Sequence, residues 1–202
     1  GKTMEFTMSK SKMVIGVALV AIGLGVAFEE TIQTRMYTYM HSSMHDRHSA
    51  NGMGHDIKNM PGLRGANASQ AESDELAVMF ENFDTISREV TNLPNGIRTV
   101  TRSSDEAVMA VLVSHIIGMI DRVERGDDPQ IFIQSPTLDI LFLNGAEMQS
   151  QIDVTDEGIV VVRTSTDPDV VAALHIQAAE ISDMADRGMQ AVHEAMMQRA
   201  GN

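Results

Sequence analysis

LPNGIRTVTRSSDEAV (residues 93–108) and DEGIVVVRTSTDPDVV (residues 156–171) decide how this chain folds. Each holds a turn-forming dipeptide, a glycine, a run of alternating or β-branched residues, and an acidic segment that opens into an apolar helical pattern. Sliding the chain against itself by 62 positions sets Phe80 on Phe142 and Gly126 on Gly188 without a gap. Thirteen of the 47 aligned pairs are identical, against about three by chance. The matches also fall where backbone physics needs them. Gly96 and Gly158 follow Pro94-Asn95 and Asp156-Glu157 at hairpin tips, where a positive φ is cheapest for glycine.

Working outward, Ile97, Thr99 and Thr101 alternate with Arg98, Val100 and Arg102 as a strand requires. Ser103 with Glu106, and Thr166 with Asp169, have the spacing of capping boxes, so each hairpin should lead straight into a helix. Those helices are expected to run to Arg125 and Arg187, with Gly126 and Gly188 as C-terminal caps. Their apolar stripes are Val108, Leu112, His115, Met119 and Val123 on the first, and Val170, Leu174, Ala178, Ile181 and Ala185 on the second. Shorter helices are expected over 73–89 and 137–149, with Pro136 near the start of the second. The predicted class is α+β: tandem duplicated α-β-β-α units with pseudo-twofold symmetry, antiparallel hairpins packed on helices, and an N-terminal transmembrane or signal helix in front. The expected divisions are a signal or anchor segment at 1–30, a Met/His-rich stalk and linker at 31–72, and the duplicated domain at 73–202. Its copies cover about 73–126 and 136–188, followed by a C-terminal helix.

The N-terminal segment sets the expected compartment. Lys10 and Lys12 precede an uncharged apolar run at 13–28, and Glu29 and Glu30 follow it. The positive-inside rule places the remainder on the periplasmic side of the bacterial inner membrane, anchored if the segment is retained and secreted if it is cut near Gly25 and Ala27. Met8 would make a natural start, so the first seven residues are expected to lie outside the native protein. The formal charge is -13 and no lysine follows Lys58. Such a surface repels phosphates, which argues against nucleic acid and favours cations or a basic protein partner. With no cysteine in the chain, disulfides, thiolate metal sites and a cysteine nucleophile are excluded.

Two groups of side chains suggest soft-metal chemistry. As a helix, the stalk carries His41, His45 and His48 on one stripe and Met36, Met40 and Met44 on another, with His55 beyond. Imidazole and thioether together suit copper above other ions. Met189, His193 and Met197 repeat that chemistry at four-residue steps near the C-terminus. The plain alternatives are a solvated stalk and an amphipathic tail whose methionines pack. Motifs for nucleophilic, zinc-hydrolytic or dinucleotide-dependent catalysis do not occur, so a non-enzymatic protein is expected.

The two quoted stretches, each leading into a helix that ends Arg-Gly, resemble a family of uncharacterised exported bacterial proteins with duplicated helix-hairpin-helix units, over about residues 73–193. The resemblance implies a histidine on the long helix of each copy. His115 matches the first, whereas the second has Gln177 at the equivalent position and His175 two residues earlier, so a symmetric histidine pair is altered here. The leading functional expectation is a membrane-tethered or secreted periplasmic protein handling copper through its Met/His arm. The alternative is an interaction or ligand-binding accessory subunit of a membrane or respiratory complex, with haem as a possible ligand around His115, His175 and Gln177.

Overall fold

In the computed structural model, which describes residues 57–201, the two quoted stretches form the second strands of two hairpins. β1 (Ile86–Leu93) pairs antiparallel with β2 (Gly96–Ser103), and β3 (Met148–Thr155) with β4 (Gly158–Ser165). The hairpins join through β2 and β4, also antiparallel, so the sheet order is β1-β2-β4-β3. Five α-helices complete the α+β fold among the described residues: α1 (Gln70–Glu81), α2 (Glu106–Arg125), α3 (Pro136–Leu143), α4 (Pro168–Arg187) and α5 (Met189–Ala200). Each strand of the second hairpin, and α4 after it, begins and ends 62 residues after its counterpart in the first half. At the middle of the β2–β4 ladder Thr99 faces Val161, the residue 62 positions further on.

Register sorts the side chains into two faces. Ile97, Thr99, Thr101 and Ser103 of β2, and Ile159, Val161, Arg163 and Ser165 of β4, are all buried, and this inner face carries the helices. Coverage is crossed. Val170, Ala173, Leu174 and Ala178 of α4 pack with Ile97 and Val90 of the first hairpin. Ile120 of α2, with Val113 and Ile116 beside it, packs on Ile152, Ile159 and Val161 of the second. Each long helix also touches the inner strand of its own hairpin, α2 at β2 and α4 at β4, so the two halves share both helices. A third cluster joins the start of the described chain to its end, where Leu63, Ala77, Phe80 and Val192 meet with Ile57, Met60, Met184 and Met189 around them.

Several local expectations are corrected. The long helices are capped by Asp105, which accepts from the Ala107 and Val108 amides, and by Asp167, which accepts from Asp169. Ser103 and Ser165 instead accept from the amides of those aspartates, one step outside the helix. The short helices end at Glu81 and Leu143, because strands begin at Ile86 and Met148 and a 3-10 turn intervenes in each half. α1 starts at a capping box between Ser69 and Glu72. Gly126 does adopt the left-handed conformation, with φ 66°. Of the hairpin glycines only Gly158 has positive φ, at 129°. Close approach is what both require: a Cβ on Gly96 would overlap the Arg163 carbonyl, and one on Gly158 the Thr101 carbonyl.

The expected N-terminal helix and the stalk stripes lie outside the described residues, and within them no helix is long and apolar enough to cross a membrane. Gly96→Ala should lower stability by ~1–3 kcal/mol through overpacking at the central ladder. Gly118→Ala, on α2 with nothing within 4 Å of an added Cβ, should raise it by about 0.5–1 kcal/mol through helix propensity. Urea unfolding followed by circular dichroism measures both, and an unchanged midpoint for Gly96→Ala would contradict the close approach.

Candidate ligand cavity between the sheet and the helices

A cavity of about 640 Å³ lies over the inner face of the sheet. Its floor includes Ile97, Thr99, Val161 and Arg163, and its walls include Leu112, Ile116 and Met119 of α2 and Gln177, Glu180 and Ile181 of α4. The lining is mostly aliphatic because the stripes of both long helices and the inner strand positions converge there. Its volume falls within the range of small-molecule sites, roughly 300–1,000 Å³.

Four polar side chains on this lining have a buried atom without a hydrogen-bond partner: Arg88 at Nε, Arg163 at Nε, His115 at Nδ1 and Glu180 at Oε2. Arg163 is 5 % exposed and donates only to the Met148 thioether, Nη2 to Sδ at 3.5 Å. Arg88 donates through Nη1 to Thr101 Oγ1 at 2.8 Å. Among the described residues, neither has a carboxylate in ion-pair range. Burial pushes both guanidinium pKa values down to about 10, at Arg163 against a partial lift from the Glu124 charge, so both remain cationic at neutral pH. Buried and unpaired charge of this kind costs several kcal/mol unless something compensates it.

The helical side has its own polar fixtures. His115 Nδ1 stands 3.5 Å from Glu75 Oε2, and the other Glu75 oxygen accepts from Ser114 Oγ at 2.6 Å. Glu75 is positioned by α1, which is held against α2 through Arg122. That guanidinium pairs with Glu72 at Oε1 and Oε2, donates to Asp127 Oδ2 at 2.9 Å and reaches the Asn67 carbonyl at 3.0 Å. Burial of Glu72 opposes its ionisation, but the bonds from Arg122 and Ser69 outweigh it and hold the carboxyl below its usual range. Glu180 Oε1 accepts from Ser135 Oγ at 2.8 Å and Thr137 Oγ1 at 3.3 Å, which ties α4 to the start of α3.

The cavity thus brings together His115 and Gln177 of the expected site residues. His175 is placed elsewhere. Its Nε2 donates to the carbonyls of Leu93 at 3.1 Å and Gly96 at 2.8 Å, so its protonated nitrogen holds the first hairpin turn. Of the C-terminal trio, Met189 packs against the Leu63 and Phe80 cluster while His193 and Met197 are exposed. Among the described residues no cluster of three histidines or carboxylates could hold a metal ion. Met36, Met40, His41, Met44, His45, His48 and His55 lie outside the described residues.

Arg88 and Arg163 were not among the expected site residues. The signal for Arg163 was present in VVVRTS: once Ile159 and Val161 are inward, a period of two makes Arg163 inward as well. Arg88 shares that face only through its register with Thr101, which is a tertiary fact. Comparison with known proteins finds no matching family model, no matching curated protein and no matching solved structure.

Replacing a buried, unpaired cation by an apolar side chain of similar length removes its desolvation cost. Arg163→Met should therefore stabilise the free protein at neutral pH by ~1–4 kcal/mol. The folded-state value lies below the unfolded one, so the penalty is full at neutral pH and is relieved only as pH rises through about 10. Thermal unfolding of the ligand-free protein measures the change. A clear loss of stability would mean that Arg163 is already satisfied.

Proposed function

We propose that this chain is a non-enzymatic ligand-binding module, built from two copies of one α-β-β-α unit related by a pseudo-twofold axis through the Thr99–Val161 pair. In this reading it works on the periplasmic side of the bacterial inner membrane, secreted or tethered through its N-terminal segment, as an accessory subunit with a protein partner. The 62-residue correspondence of strands and long helices supports the duplication. The ligand-binding reading rests on one observation: a mostly aliphatic cavity of about 640 Å³ into whose lining the fold places four polar groups with unpartnered buried atoms. A cavity meant to be filled by side chains would not carry so many, because each costs about 1–3 kcal/mol. The described part of the copper proposal supplies one packed methionine, one exposed histidine and one exposed methionine, and its Met/His arm lies outside the described residues.

The full chain in detergent-free buffer should bind the neutral fluorescent probe N-phenyl-1-naphthylamine saturably, one per chain. Val161→Phe, which adds a ring at the centre of the floor, should abolish that binding while leaving the circular dichroism spectrum unchanged. Non-saturable binding, or a Val161→Phe variant indistinguishable from the parent, would count against the cavity as a ligand site.

Haem is a second reading, favoured by His115, which lines the cavity and whose buried Nδ1 makes no hydrogen bond, standing 3.5 Å from Glu75 Oε2. Titration with haemin should then give a Soret band that shifts or disappears in His115→Ala. A spectrum identical for the two proteins would remove haem from consideration.

A further inference from the structure

We infer that the ligand is an amphiphile with an aliphatic body and a single acidic head, of the fatty-acid class, and that Arg163 receives the head. The inference rests on the ligand-binding reading above and adds its chemical class. The geometry on the sheet floor carries it. Arg163 is 5 % exposed, lines the cavity, and has a buried Nε without a partner and an Nη2 whose one acceptor is a thioether. A thioether is a weak acceptor, so the guanidinium keeps nearly all of its capacity for a carboxylate, which it suits through paired N–H donors.

Its surroundings select the rest of the ligand. Across the ladder from Arg163, and outside the cavity lining, stands Ser150, whose Oγ is buried and makes no hydrogen bond, so it takes up none of the donors of the guanidinium. Arg88 adds a second cation on the cavity floor, already engaged with Thr101. Register places the two arginines two strands and four residues apart, a Cα separation of about 16 Å at the usual strand spacing and rise. They are therefore separate charges, and the better buried and less satisfied of them is the head-group anchor. On the opposite side Glu180 has an unpartnered oxygen, which repels an acid and turns the head toward the sheet. Between these poles the lining is aliphatic, with Leu112, Ile116, Ile120, Val161 and Ile181. That aliphatic surface favours a hydrocarbon chain.

The test compares laurate with 1-dodecanol, which share a chain and differ in the head, by calorimetric titration of the full chain in detergent-free buffer. Laurate should bind at least about tenfold more tightly. In Arg163→Met the preference should collapse to within about twofold by loss of laurate affinity, with dodecanol affinity kept, and Arg163→Lys should restore part of it. Arg88→Met should reduce the preference less. Equal binding of acid and alcohol, or a preference unchanged in Arg163→Met, overturns the inference and leaves the cavity reading standing. Failure of both ligands, together with failure of the neutral naphthylamine probe, would defeat that reading as well. Dodecanol binding by the Arg163→Met protein shows that it is folded, and Arg163→Gln serves as a second variant if it is not.

Discussion

The pairing of β2 with β4 is the contact on which the rest of the molecule depends. A two-stranded hairpin is marginal in water, and three or more strands with a covered face are needed for stability. Here neither hairpin reaches that number alone, and the ladder from Gly96 opposite Thr164 to Thr101 opposite Ile159 makes them one sheet. Its closeness explains why glycine opens both second strands, since each abuts a carbonyl of the other hairpin. The crossed packing follows, because α4 settles on the first hairpin and α2 on the second only when the two lie edge to edge. His175 reinforces this from α4 by binding the carbonyls on both sides of the Pro94-Asn95 turn.

The same arrangement leaves the space above the centre of the floor. Two long helices that each reach across to the far hairpin bring their apolar residues mainly into two clusters, Leu174 and Ile97 in one and Ile120 and Ile159 in the other, with Val123 of α2 joining the first. Thr99 and Val161 lie where the two meet, and both line the gap, Val161 also packing with Ile120 of α2. α1, α5 and the segment before α3 close the volume from the sides, with Phe80, Val192 and Ile131 among its lining. A cavity at this place is a consequence of the topology. Its polar contents are a consequence of the sequence.

Much of the fold could be read from the chain because its signals are local. A glycine after a turn dipeptide, an inward period of two, and an Arg-Gly ending are each fixed within ten residues or so, and the second strands and both long helices stand where those signals put them. The first strands were obscured. ISREVTNL at β1 and MQSQIDVT at β3 are edge strands with polar outward positions, and they follow helices closely enough that a helical pattern can be carried into them. The site was less legible. His115 and Gln177 could be paired by the 62-residue shift, but Arg88 and Arg163 acquire meaning only when register places them on the buried face without an ion pair. His175 looked like chemistry and serves the backbone, because a histidine on a helix face does not announce which carbonyls will stand opposite it.

The two halves differ at several positions that line the cavity. At one rung of the first hairpin Arg88 faces Thr101, and at the matching rung of the second Ser150 faces Arg163. Each half thus keeps one arginine and one hydroxyl on the inner face, with the strands exchanged, so one cation sits on an edge strand and the other on a central one. The helices diverge in the same sense: His115 corresponds to Gln177, and Gly118 to Glu180. A symmetric floor would present equal ends to a ligand and favour a symmetric one. This floor has one deeply buried cation whose one acceptor is a thioether and, across the cavity, the Glu180 carboxylate with an oxygen that makes no hydrogen bond. Specificity comes from differences in affinity between possible poses, and those two charges give a molecule with distinct ends one pose that satisfies a buried charge and another that opposes it.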